Sequence, residues 1–481
     1  MSELPRSILG DLIVHQKGFP FKSRDYQDEG IPVVRVSNFT DDSIDTSDLK
    51  FVSENIASEN QKVALRNDDV IIATVGSWPK NPASIVGKTI CVPPEMDGAL
   101  MNQNSVILRV KNNSSVDQKY LFIALKTKLF SEYLVSTAQG SANQASVTLS
   151  DIFSYEVEWP EKEIRESIVR VIDSMNQKIK LNRQTNQTLE QIAQAIFKSW
   201  FVDFDPVRAK IAAREAFIQQ HPEVTEAAIR AAAKACELAA IRAISGKTEE
   251  QLNELIAETL QQLKATAALF PDAMVNSELG EVPEEWEFKP LSKLIELIGG
   301  GTPKKSEAGY WGGDIPWFSV KDAPTDGDVF VIDTEQKITE LGLKKSSTKL
   351  LSPGTTIISA RGTVGRLALV GREMAMNQSC YGVQGADGIG PYLNYFNLKE
   401  AVSELQQNTH GAVFDTITRD TFDTVSLVEP CMTLKNIFEE ALEPLIQKIK
   451  SNLLENAALS ATRDTLLPKL LSGELPVDDV A

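Results

Sequence analysis

Apolar residues in one stretch recur in steps of four and three: Ile168, Ile172, Met175 and Ile179, then Leu189, Ala193 and Ile196. That spacing is the seam of a coiled-coil helix. Two seam positions are polar, Asn182 and Asn186. Adding 270 to every number gives Phe438, Leu442, Leu445, Ile449, Asn452, Asn456, Leu459, Arg463 and Leu466. The seam is kept and both asparagines fall on asparagines, so the register marks an internal duplication. Each helix can pack on its own domain, or the two can pack on each other. An antiparallel pair centred near residues 184 and 454 opposes Asn182 with Asn456 and Asn186 with Asn452. Buried asparagine fixes register at some cost in stability. Pro444 breaks the symmetry and predicts a kink or a fresh start in the second helix.

The repeat extends upstream of each helix. Ile31-Pro32-Val33-Val34 returns as Ile315-Pro316-Trp317-Phe318. The run from Val70 to Gly76 resembles that from Thr356 to Gly362, and Met101-Asn102-Gln103 returns as Met376-Asn377-Gln378. Gly140 and Gly411 each precede a proline, Pro160 and Pro430, that opens a helical pattern. Short β-rich runs between Gly and Pro turns predict mixed α/β (α+β) domains. The expected order is a first domain over 1–160, a long helix over 161–205, an Ala-rich helical insert or linker over 206–276, a second domain over 277–430, and a second helix with its tail over 431–481. The core of the insert, roughly 206–270, has no counterpart after the second helix. Leu252, Leu255, Ile256, Leu260 and Leu263 form one apolar helical face there. It reads either as a connector or as a docking surface.

Bulk properties narrow the function. At 481 residues the chain holds two or three domains with ordinary globular composition. No apolar run reaches the roughly 20 residues that span a bilayer, and the N-terminus lacks a signal-peptide pattern. The expectation is a cytoplasmic protein with no membrane partner. Cys91, Cys236, Cys380 and Cys431 form no C-x-x-C pair, which argues against a disulfide framework or zinc site. The net charge of −17 opposes DNA binding by the chain as a whole, so any phosphate attraction requires a local basic face.

Catalytic constellations are missing from the sequence. Gly246-Lys247-Thr248 lacks the earlier glycine of a phosphate loop, since position 241 is Ile. Val92-Pro93-Pro94-Glu95 has the wrong flanks for a methyltransferase Pro-Pro turn. Pro271-Asp272 with Glu287-Phe288-Lys289 has nuclease letters, but in a Pro-rich linker. His15, His221 and His410 stand at no metal spacing. Neither a catalytic residue nor a metal site is expected. The balance favours binding over chemistry.

Further stretches carry a family resemblance. They are Asn182-Arg183-Gln184 and Leu189-Glu190-Gln191-Ile192-Ala193, then Ile196-Phe197-Lys198-Ser199-Trp200-Phe201-Val202-Asp203-Phe204. Ser277-Glu278-Leu279-Gly280-Glu281-Val282-Pro283, Gly300-Gly301-Thr302-Pro303 and the tail Leu467-Pro468-Lys469-Leu470-Leu471-Ser472-Gly473-Glu474-Leu475 complete the set. Together they resemble the specificity subunits of type I restriction–modification systems over nearly the whole chain. The resemblance implies two target-recognition domains joined by two conserved helices in an antiparallel coiled coil. It implies a non-catalytic subunit that reads a bipartite, asymmetric site in double-stranded DNA. It implies two methyltransferase subunits and restriction/translocase subunits as partners, which would hold S-adenosylmethionine, Mg2+ and ATP; this chain would hold no cofactor. The seam from 168 to 196 spans about 42 Å at roughly 1.5 Å per residue. Half-sites one DNA turn apart lie about 34 Å apart, so the helices could serve as a ruler. The alternatives are a stand-alone nuclease or methyltransferase with an unrecognised site, or a coiled-coil scaffold without DNA.

Base readers are expected among Arg, Lys, Asn, Gln and Ser on loops. The candidates in the first domain are Lys22, Arg24, Arg35, Ser37, Asn38, Lys80, Asn102, Gln103, Ser141, Asn143 and Gln144. Those in the second are Lys304, Lys305, Trp317, Ser319, Lys321, Arg361, Thr363, Arg366, Asn377, Gln378 and His410. Arg361, flanked by Gly362, stands out, because small neighbours let the backbone approach DNA while Arg reaches guanine. Asn102, Gln103, Asn377 and Gln378 recur in both halves, which also suits a shared structural role.

Overall fold

The computed structural model describes residues 4–78, 86–141, 144–221, 225–277, 280–324, 327–408 and 416–476. The chain divides into two compact units, Met1–Lys178 with Ala458–Ala481, and Ile179–Ala457. Each unit therefore holds one mixed α/β domain together with a stretch of each long helix.

The long helices are Lys162–Phe201 and Met432–Leu471, each of 40 residues. Pro160 and Pro430 stand just upstream, where proline disfavours helical geometry in the residue before it and stops the helix extending backwards. Pro444 neither restarts nor ends the second helix, which is continuous through it. Proline there removes the bond to the carbonyl of Glu440, and both residues lie on the exposed face, where water can take that carbonyl.

In the first unit a four-stranded antiparallel sheet runs in the order Ile13–Lys17, Ser105–Val110, Val70–Ala73, Thr89–Cys91. Val70–Ala73 is buried on both faces. Val70 and Ile72 enter one core and Ile71 and Ala73 another, as the two-residue period of a strand requires. A smaller sheet orders Lys50–Val52, Ile31–Val34 and Leu100–Met101, the last two parallel. Arg6–Ile8 pairs with Glu156–Glu158 and joins the start of the domain to its end. The helix stretch of this unit is fixed by Arg165, whose Nε and Nη2 donate to the Asp117 carboxylate at 2.9 and 3.0 Å. Burial pushes the Asp117 carboxyl up, but the Arg165 and Asn112 hydrogen bonds and the nearby cations outweigh it and hold it below 3.8. Ile168 and Ile172 share a core with Leu470 and Leu471 from the other helix. Arg463 donates to Asn176 Oδ1 at 3.0 Å.

The second unit repeats this plan. Its main sheet orders Ile295–Gly299, Cys380–Gly385, Thr356–Ser359, Leu367–Val370 and Phe330–Val331. Its small sheet orders Lys337–Ile338, Trp311–Phe318 and Ala375–Met376, again with the last pair parallel. Glu287–Pro290 pairs with Ser426–Glu429. The Glu287-Phe288-Lys289 segment is thus a strand and not a linker, because it closes the second domain as Arg6–Ile8 closes the first. Lys289 is ion-paired with Glu429, and Asp272 with Lys210 and Arg214.

The helices of this unit pack both on each other and on the domain. Asn182 Nδ2 donates to Asn456 Oδ1 at 2.9 Å, and Asn452 Nδ2 to Asn186 Oδ1 at 2.8 Å. Ala193, Phe197, Leu434, Phe438 and Leu442 enter the domain core. Leu445 is only partly buried and Ile446 takes the buried place beside it. The Phe197-to-Phe204 run reads as aromatic because it builds a cluster: Trp200 meets Phe270 at 5.5 Å and Phe438 at 5.9 Å, and Phe204 meets Trp286 at 6.0 Å. Truncating such a residue costs about 3–5 kcal/mol.

The insert is helical: Asp205–Gln220, Glu226–Ser245, Glu249–Asn253 and Ala257–Ala268. Its expected single apolar face is broken. Ile256 caps the start of Ala257–Ala268 and is 69% exposed, while Leu252 is buried with Ala240, Ile241 and Ala267. Gly246 closes a helix at φ 64° and Thr248 caps the next, which is the local use of the Gly246-Lys247-Thr248 motif.

Candidate nucleic-acid interface

One loop frame is built twice. A Cβ on Gly18 would stand 1.8 Å from the carbonyl oxygen of Asn102, and one on Gly300 1.9 Å from that of Asn377, so only glycine fits at either place. Phe19 N donates to Met101 O and Gly301 N to Met376 O, both at 3.0 Å. Asn102 N donates to Val34 O and Asn377 N to Phe318 O, both at 2.9 Å. Arg35 N is held by Asn38 Oδ1 at 3.0 Å, and Ser319 N by Asp322 Oδ2 at 2.8 Å. Three loops of each domain therefore meet: residues 18–24, 35–38 and 102–104 in the first, and 300–305, 319–322 and 377–379 in the second. A fourth joins them. Thr74 N donates to Asn104 O and Val147 N to Thr74 O in the first domain; Ala360 N donates to Ser379 O and Ile417 N to Ala360 O in the second. By this register Arg361 occupies the position of Val75, with Gly362 on Gly76.

The frame sorts the sequence candidates. Asn38 and Trp317 are corrected to core residues. Asn38 is 3% exposed and spends its amide on Arg35 N and Asp48 O. Trp317 is 5% exposed and its indole N–H goes to Gly301 O at 3.0 Å. Arg35 is held by Asp48 through the backbone oxygen at 2.7 Å and the carboxylate at 3.0 Å. Asn102 joins the Tyr26 hydroxyl and Gln103 N; burial pushes the Tyr26 hydroxyl up, against the opposing effects of Arg35 and Asn102. Asn377 Oδ1 accepts from Ser379 N, Ser319 Oγ binds Asp322, and Gln378 takes the Thr302 hydroxyl. Lys22, Arg24, Ser37, Gln103, Ser141, Gln144, Lys304, Lys305, Lys321, Arg361, Thr363 and Arg366 are exposed. Lys80, Asn143 and His410 lie outside the described residues. Asn182, Asn186, Asn452 and Asn456 sit buried between the helices.

Sequence reasoning passed over Lys345 and Lys349, which lie on the segment packed against the 300–305 loop. The run Lys344-Lys345-Ser346-Ser347-Thr348-Lys349 is a charge signal that could have marked them.

Burial pushes the Cys91 and Cys380 thiols up to about 12, so neither is an available thiolate at neutral pH. Among the described residues no His, Cys, Asp or Glu group could hold a metal ion. Among them, too, no helix is long and apolar enough to cross a membrane.

The family model for the type I restriction modification DNA specificity domain matches residues 4–191 and 283–457. The chain belongs to this family. It is similar to the type I restriction enzyme HindI specificity subunit of Haemophilus influenzae, at 30% identity over 426 residues, covering 86% of this chain and 88% of that protein. It also matches the type I restriction enzyme MjaIX specificity subunit of Methanocaldococcus jannaschii, at 28% identity over 192 residues, covering 38% of this chain and 44% of that protein. Among solved structures, the type I restriction–modification S subunit from M. genitalium aligns at 13% identity with a TM-score of 0.47, covering 97% of this chain and 96% of that one.

Proposed function

We propose that the chain is the DNA-recognition subunit of a type I restriction–modification complex. Each of its two domains reads one half of a bipartite, asymmetric target. Methyltransferase subunits, two in number, carry S-adenosylmethionine to the adenine, and restriction/translocase subunits supply ATP- and Mg2+-dependent chemistry. The two long helices set the spacing of the half-sites. The observation that carries this reading is the duplicated loop frame. The same four loops converge in both domains on the same backbone bonds, while side chains at matching positions differ, as the half-buried Val75 and the exposed Arg361 do. Direct readout needs such polar side chains on a fixed backbone. The insert, over 206–276, serves the second domain as a packed helical appendage through Phe270.

The test is to map methylated adenines in DNA modified by the complex reconstituted with its methyltransferase partners. A single split motif with an unspecified spacer is expected. Methyl transfer to DNA by this chain alone would overturn the reading.

A further inference from the structure

We infer that the second domain carries a phosphate-backbone anchor for duplex DNA, made by Lys304 and Lys305 of the 300–305 loop with Lys345 and Lys349 of the segment packed against it. This rests on the reading of the chain as a DNA-recognition subunit. It answers an electrostatic problem, for a chain of net charge −17 repels DNA unless positive charge is concentrated and left uncompensated.

The loop is held rigid from several sides. Gly301 N donates to Met376 O at 3.0 Å, and the Trp317 indole to Gly301 O at 3.0 Å. The Trp311 indole donates to Lys304 O at 3.2 Å, and the two indoles meet edge to face at 5.1 Å. A Cβ on Gly301 would lie 2.3 Å from Ser347 Oγ and 2.4 Å from Thr348 N, so the loop rests directly on the 345–349 segment. That segment is itself tied down, since Thr348 Oγ1 donates to Met376 O at 2.8 Å. Ordering these loops on binding therefore costs little.

The four lysines are exposed, and among the described residues none has a carboxylate within the 4.0 Å of an ion pair; the neighbouring Lys344, by contrast, pairs with Glu340 at 3.4 Å. Four like charges without partners repel one another, and a strand of phosphates relieves that repulsion. A lysine ammonium on a flexible stem suits a phosphate better than the fixed edge of a base. Lys304 and Lys305 thus position the duplex and do not read it. Among the described residues of the first domain the matching positions hold a thinner cluster: Lys22, opposite Lys304, is exposed, but Phe19, Pro20 and Phe21 precede it, Arg24 lies 3.8 Å from Asp25, and the facing segment carries Glu59 beside Lys62.

The full chain is titrated with a fluorescent random-sequence duplex over about 50–200 mM salt. The K304Q/K305Q/K345Q/K349Q variant is compared with the charge-matched K128Q/K234Q/K264Q/K448Q variant. All eight residues are exposed, and thermal melts check that both variants fold. The anchor variant should lose about 3–4 in the slope of log K against log salt, at about 0.9 per phosphate. The control should keep most of its slope, and the methylated motif of the reconstituted complex should be unchanged by the anchor variant. Equal slopes in the two variants, or a changed motif, would overturn the anchor while leaving the DNA-recognition reading intact. Absence of duplex binding by the wild-type chain at low salt would strike both.

Discussion

Asn452 donates through Nδ2 to Asn186 Oδ1 at 2.8 Å, with the two side chains 1% and 0% exposed. The duplication maps Asn182 onto Asn452 and Asn186 onto Asn456, so this bond and the Asn182–Asn456 bond at 2.9 Å are repeat-related. Asn186 Nδ2 continues to Asp328 Oδ1 at 3.2 Å, which ties the pairing to the second domain.

The pair makes a test of coupling. Asn186→Leu leaves the buried Asn452 amide without its acceptor and should destabilise the second unit by about 1–3 kcal/mol. The double variant Asn186→Leu/Asn452→Leu should be less damaged than the sum of the singles, with a coupling of about 0.5–3 kcal/mol in urea unfolding. Strictly additive losses would show that the two amides do not act as a unit.

Glu439 gives a pH test. Its carboxylate accepts from Tyr392 N at 3.2 Å and Leu393 N at 2.7 Å, at the start of the helix Pro391–Asn408. Burial nevertheless pushes the group up from 4.5 to about 7, against the two amide bonds and with help from Glu443. Between those values the folded state binds more proton than the unfolded one, so stability falls as pH rises through this window and levels off above it. Glu439→Gln should flatten that slope in urea midpoints measured at about pH 5 and about pH 8. An identical slope in the variant would place its origin elsewhere.

Arg361 should read one base pair. It is exposed, is followed by Gly362 at φ 81°, and takes the place of Val75 of the first domain. Arg361→Ala should relax a single position of the second half-site by about 1–3 kcal/mol and leave the first half-site untouched, as seen in the methylated motif. Uniform weakening on all sequences would make it a phosphate contact.

The parts legible in the sequence are those whose signal is local and repeated. The 3.5-residue seam fixes two long helices, and its doubled asparagines fix their antiparallel register. Sheet order was not legible. Leu100–Met101 is only two residues long and pairs in parallel with Val33–Val34 through long-range contacts that no local pattern encodes. The site was legible as a set of loops but not as a set of readers. Trp317 and Phe318 are adjacent yet both buried, because they enter two different clusters. Asn38 is polar, but its amide is consumed by the turn that it caps. Pro444 suggested a break, and the exposed helix face absorbs it.

The central claim is that the two domains read separately. Its most direct measurement is a domain exchange: the second recognition domain, proposed over 277–430, is replaced by its counterpart from another specificity subunit, and methylated adenines are mapped. One half of the motif should change to that of the donor while the other half and the spacer length stay the same. A change in both halves, or in neither, would contradict the account.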